Sequence, residues 1–278
     1  MFGGERRKST LELKPEEFRK QQRRKSAIDH QVRETLRLAR KIPIEMNLVG
    51  VEPKRGILKQ QRLIRHDIHT SGSSIVGTQS AGERVDAIFN EETPIIPSIG
   101  RAARVALNKY ILSFKEKGVR SVIICPSLIY GIGHGPAKHS IQVPWLIALA
   151  KKGGVAKHYG PGENIWSNVH IDDLVDLYNL AITSAPAGAF YFAENGENSM
   201  KQVCEAINCK LGVNTDTVPM SLDEASREWG EGAAQNTMGS NSRVRAVRAR
   251  AELGWRPSRP SLIDEIENGC YTECLVTQ

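Results

Sequence analysis

Apolar residues run without alternation over Val122, Ile123, Ile124 and Cys125, and Pro126 closes the run. Only a strand covered on both faces carries apolar side chains at successive positions, so the pattern predicts a buried parallel strand. Ser127 to Gly133 then form a loop at its carboxyl end, where open α/β sheets place their ligand crevice. The alternative for this stretch is a buried strand followed by an ordinary turn. Upstream, LIRHDIHT alternates and breaks into a Ser/Gly cluster, which predicts a strand delivering its carboxyl end to a polar loop. Between the two, residues 99–117 place Ala102, Ala106, Ile111, Leu112 and Phe114 on one helical face, with Gly118 as the stop. Strand, helix, strand at this spacing is a parallel crossover.

Downstream, the pattern predicts a helix over 143–152, a short strand over 155–159 and a strand over 187–195. Asp172 and Asp173 stand where an N-cap and a first-turn acid belong, ahead of Leu174, Leu177 and Ala181, so they read as structural. Helices are predicted over 201–212, 221–230, 242–257 and 262–272. Residues 1–60 differ: the apolar row Ile28, Val32, Leu36 predicts a helix from Pro15 to Lys41, and Leu48 to Val51 a short strand.

The formal charge of +7 on 278 residues is carried by that head. Residues 1–66 hold 18 Lys and Arg against 8 Asp and Glu, which leaves 20 against 23 in the rest. The basic runs Arg6–Lys8 and Arg23–Lys25 have Phe18 alone between them, which is not the aromatic interleaving of a nucleic-acid platform, so a solvated surface is expected. No apolar run approaches the roughly 20 residues of a membrane span, and the N-terminus has no apolar signal core. Five scattered cysteines match no common zinc spacing, so reduced thiols, no metal and a cytoplasmic location are expected.

Four segments in order, TSGSSIVG (70–77), GVRSVIICPSLIYGIG (118–133), NVHIDDLVDLY (168–178) and ARAELGWRP (249–257), resemble the extended short-chain dehydrogenases, the NAD-dependent epimerase/dehydratase family. The resemblance runs from about Leu63 to the C-terminus. It implies an α/β fold, a Rossmann-type parallel sheet with a small C-terminal substrate lobe, and NAD or NADP as cofactor. It also implies that Pro126 and Ser127 lie under the nicotinamide, with Thr70 and Ser71 beside it. Leu128, Tyr130 and Trp166 are then expected to line the pocket for a small-molecule substrate.

Three departures shape the expected function. Before residue 66 no G-x-x-G-x-x-G or G-x-G-x-x-G occurs, so the expectation is a partial Rossmann sheet, its C-terminal half in 63–278, behind a basic head in 1–62. The family's Tyr and the Lys four residues on fall on Gly100 and Arg104, and its assisting Ser or Thr falls on Gly72. Arg104 keeps the positive charge, and Ser71 and Ser73 are the neighbouring hydroxyls, so Ser73 and Arg104 are the candidate catalytic residues. Trp166 stands where the family grips a phosphate with Arg, and Leu128 where it has a polar residue. These changes point to an uncharged small organic substrate. The competing expectation is a catalytically inactive remnant that binds or oligomerises through an open sheet edge.

Overall fold

The computed structural model describes residues 65–272 apart from Pro136, Ala137 and His139. The elements expected within 1–62 lie outside the described residues.

The apolar run becomes β3 (Val119–Pro126), whose Val122, Ile123, Ile124 and Cys125 are completely buried. It is the middle strand of a parallel sheet, between β1 (Arg65–Thr70) and β7 (Ala189–Ala193). Thr70 is paired with Ile124 and Pro126 with Ala193, so the three carboxyl ends finish together. The predicted connecting helix spans the expected residues as α1 (Ala102–Leu112), tightened at both ends into 3-10 turns over Ile99–Arg101 and Ser113–Lys117. Gly118 closes it at φ +74°, a left-handed conformation that glycine adopts without steric cost.

A second sheet orders β4 (Leu128–Tyr130), β6 (Ile165–His170) and β8 (Gly196–Ser199), the first pair parallel and the second antiparallel. All six residues of β6 are buried although Ser167, Asn168 and His170 are polar. Residues 242–244 satisfy it: Ser167 N donates to Ser242 O at 2.9 Å, Ser242 N to Ile165 O at 2.9 Å, and Val244 N to Ser167 Oγ at 2.9 Å. That recruitment shortens the helix predicted over 242–257 to α6 (Val247–Leu253).

The remaining helices used below are α2 (Gln142–Gly153), α3 (Ile171–Ser184), α4 (Met200–Leu211), α5 (Leu222–Trp229) and α7 (Leu262–Glu267). Capping boxes start α4, α5 and α7, each a serine paired with a Gln, Glu or Asp three residues on. At α3 the cap is His170 rather than Asp172: Asp172 N donates to His170 Nδ1 at 3.1 Å.

One core packs the parallel sheet against α3, α6 and Trp255. A second joins Leu128, Tyr130 and Trp166 to α2, α4 and α7. The described residues thus form the expected α/β arrangement, a Rossmann-type parallel sheet with a C-terminal lobe. None of their helices is long and apolar enough to cross a membrane.

Candidate functional site

The backbone stitches the carboxyl ends of β1, β3 and β7 together. Ser71 N donates to Ile124 O at 2.8 Å, and Ser127 donates to Ala193 O through both its N (3.0 Å) and its Oγ (2.8 Å). Thr70, Ser71, Pro126 and Ser127, the four residues assigned to the nicotinamide from sequence, therefore lie along one sheet end. Thr70 is exposed and its hydroxyl meets the phenol of Tyr178 from α3. Burial raises the Tyr178 pKa, so the phenol is protonated near neutral pH. Ser71 is buried and its Oγ accepts from Asn108 Nδ2 at 2.8 Å. The buried Cys125 thiol is pushed up by desolvation, which withholds a thiolate from the site.

Ser73 and Arg104 are placed differently. Ser73 is 1% exposed, and both its Oγ and its carbonyl accept from Ser242 Oγ at 2.9 Å. Its hydroxyl thus braces the 240–244 segment. Arg104 is exposed, and its charge reaches His69 and Arg101. Arg101, which sequence reasoning passed over, donates to Ser74 Oγ at 3.3 Å and to Asn236 O at 3.0 Å. Desolvation lowers its pKa, followed by repulsion from Arg104. Its signal in the sequence was its place between Gly100 and Arg104. A Cβ added at Gly72 or at Gly100, the positions expected from the resemblance to replace the family's reactive side chains, would meet no atom of the described residues within 4 Å. Nearby, His69 Nε2 and Asn108 Oδ1 are buried without a hydrogen-bond partner among the described residues.

Beside Ser127 lies a cavity of about 350 Å³. Ser127, Ile129 and Gly131 line one side of it, and Lys138, Ser140, Ile141, Gln142 and Ile171 contribute to the rest. Strand alternation sends Leu128 and Tyr130 the other way, into the lobe core. There Tyr130 OH donates to Pro260 O at 2.8 Å, and Trp166 Nε1 donates to Ser240 O at 2.6 Å. The three residues assigned to the substrate thus share one cluster, and it is Ser127, Ile129 and Gly131, beside Leu128 and Tyr130, that face the cavity. Gly131 adopts φ +95°, and a Cβ there would come within 2.7 Å of His170 Nε2. Under the cavity, the buried Tyr271 OH accepts from Gly131 N at 3.1 Å and lies 3.0 Å from Ser140 Oγ. Burial drives the Tyr271 pKa up to about 12.

Asp173 explains why HIDDL and LGWRP occur in one chain. Its buried carboxylate accepts from Ser258 N (2.9 Å), Arg259 N (3.2 Å) and Asn195 Nδ2 (3.0 Å), while Trp255 Nε1 donates to its carbonyl at 2.8 Å. One motif anchors the other.

The chain belongs to the NAD dependent epimerase/dehydratase family, whose model matches residues 23–191. Oxidase ucsJ of Acremonium sp is 28% identical over 252 residues, covering 77% of this chain and 70% of its own. The fold matches dTDP-glucose 4,6-dehydratase DesIV from Streptomyces venezuelae, solved with NAD and TYD bound, at a TM-score of 0.56. That match has 20% identity and covers 73% of this chain and 58% of the other. UDP-glucose 4-epimerase from Thermotoga maritima, solved with UDP-glucose, gives a TM-score of 0.57 at 18% identity, over 75% of this chain and 62% of its own. The chain spans 52 to 70% of the length of the curated relatives it matches.

Proposed function

We propose that the chain is an NAD- or NADP-dependent oxidoreductase that interconverts a carbonyl and a carbinol on an uncharged small organic molecule. The observation that carries this reading is the joined carboxyl end of the parallel sheet, where an exposed threonine backed by a protonated tyrosine stands two residues before Gly72, whose Cβ position meets no described atom within 4 Å. The residues there fit the nicotinamide-ribose end of the cofactor. Small side chains leave room for a flat ring, and the unpartnered His69 Nε2 and Asn108 Oδ1 offer polar atoms that a ribose or carboxamide satisfies.

In this reading Thr70, Ser71, Pro126 and Ser127 hold that end, and the cofactor when bound supplies the hydride chemistry. Arg104 gives the ribose side a fixed positive charge. Thr70 passes a proton between the substrate oxygen and Tyr178, the neutral phenol acting as the reservoir that the family's Tyr would otherwise provide. Ser73 steadies the turn that carries these groups. The substrate occupies the cavity, whose isoleucines 129, 141 and 171 suit an apolar body and whose polar lining is Ser127, Ser140, Gln142 and the exposed Lys138. Leu128, Tyr130 and Trp166 support that pocket from its core side.

The test is nicotinamide oxidation by the full chain, supplied with NADH or NADPH and a panel of ketones and aldehydes. Thr70→Val should lower turnover about 100-fold, far more than it weakens the cofactor affinity that Ser71, Pro126 and Ser127 still support. Wild-type turnover in Thr70→Val would contradict the assignment of Thr70.

A further inference from the structure

The hydrogen positions under the cavity follow from which groups can donate. Gly131 N can only donate, so Tyr271 OH accepts there, and its own hydrogen must point elsewhere. With its pKa near 12 the phenol keeps that hydrogen. A buried hydroxyl hydrogen needs an acceptor, and Ser140 Oγ at 3.0 Å is the acceptor among the described residues. With Tyr271 donating to Ser140 that need is met, and the Ser140 hydrogen is left for a ligand in the cavity that Ser140 lines. Ser140 thus offers a donor beside the apolar wall of Ile129 and Ile171, with the Gln142 amide and the exposed Lys138 ammonium as the other donors of the lining.

We propose that Ser140, positioned by Tyr271, is the specificity-determining donor of this cavity, and that the cavity selects molecules placing a carbonyl oxygen on an otherwise apolar body. The proposal rests on the cavity being the substrate site of the function proposed above, and it deepens that reading by naming the substrate class. An alcohol analogue can still accept from Ser140. A hydrocarbon of the same shape cannot, and leaves the hydroxyl pair short of a partner. Tyr271 is a positioning residue: it acts through Ser140 and is itself sealed from the cavity at 0% exposure.

The probes are acetophenone and ethylbenzene, alike in shape and differing at the oxygen, titrated against the full chain without cofactor and followed by ligand-observed NMR. Wild type should bind acetophenone about fivefold more tightly than ethylbenzene, the discrimination of one hydrogen bond. Ser140→Ala should bind both equally and Ser140→Thr should restore the preference. Tyr271→Phe should weaken the preference in the Ser140 background and change nothing further in Ser140→Ala, a pattern that a purely structural tyrosine would not give. Equal binding of both probes by wild type, or binding of neither, overturns the proposal. Because no cofactor is present, that failure is separate from a failure to bind NAD or NADP.

Discussion

Gly72 and Gly100 show what one side chain decides. Gly72 lies at φ −173°, an extended conformation open to any residue, and it caps the 3-10 turn Ser73–Val76 without a side-chain hydrogen bond. Serine there should supply that cap and restrict the unfolded chain, so Gly72→Ser should raise stability by about 0.5 kcal/mol in urea unfolding. With Gly100→Tyr and Arg104→Lys added, the open space receives the family's own reactive groups, and turnover in the nicotinamide assay should rise. A loss of folding in the triple variant would show that the space is not open. Asp173 is the opposite case. Its buried carboxylate satisfies three part-buried donors, so Asp173→Ala leaves them without that acceptor and should cost about 2 kcal/mol by the same measurement.

Glu197 sets an acid limit at the same scale. Hydrogen bonds from Arg243, at 2.6 and 3.1 Å, and from Arg245 hold its pKa down at about 2 from 4.5. A carboxylate depressed by folding contributes stability above its unfolded value, and that contribution fades as pH falls from about 4.5 toward 2. Wild type should lose stability across that window more steeply than Glu197→Gln, as thermal melts at stepped pH would record.

Among the elements, strand period explains both what the sequence shows and what it hides. The continuous apolar run of β3 and the Gly118 stop were legible because burial on both faces and a left-handed turn each demand particular residue types. β6 was not, since its buried Ser167 and Asn168 are satisfied by partners 77 and 30 residues away in sequence, which no local pattern records. The helix expected over 242–257 was shortened by that same recruitment. In β4 the two faces separate: Ile129 and Gly131 line the cavity with Ser127, while Leu128 and Tyr130, expected from sequence to meet the substrate, point into the lobe core. The period of two makes a sharp contrast. Leu128→Ala should cost about 3 kcal/mol in urea unfolding and leave acetophenone affinity largely unchanged, whereas Ile129→Ala should cost less and weaken acetophenone binding.

At the scale of the whole molecule, the family match begins at residue 23, inside the basic segment that the sequence reading sets apart from the dehydrogenase-like part. The parallel sheet brings the carboxyl ends of β1, β3 and β7 together, and a cavity lies beside them at Ser127. Both depend on long-range pairing: Asp173 tying Ser258 and Arg259 to α3, and Ser242 tying Ser73 to β6. The basic head and the slightly acidic remainder are separable in sequence, but the phosphate-binding turn has no glycine signature from which it could be read. Cofactor binding is therefore the claim on which the functional account stands. It is measured most directly by melting the full chain against rising NADH and NADPH. Saturating ligand at about 100 times its dissociation constant should raise the midpoint by about 5 °C, with one of the two cofactors preferred. An unchanged midpoint at millimolar concentrations of both would contradict the account and favour a family member that has kept the fold without the cofactor.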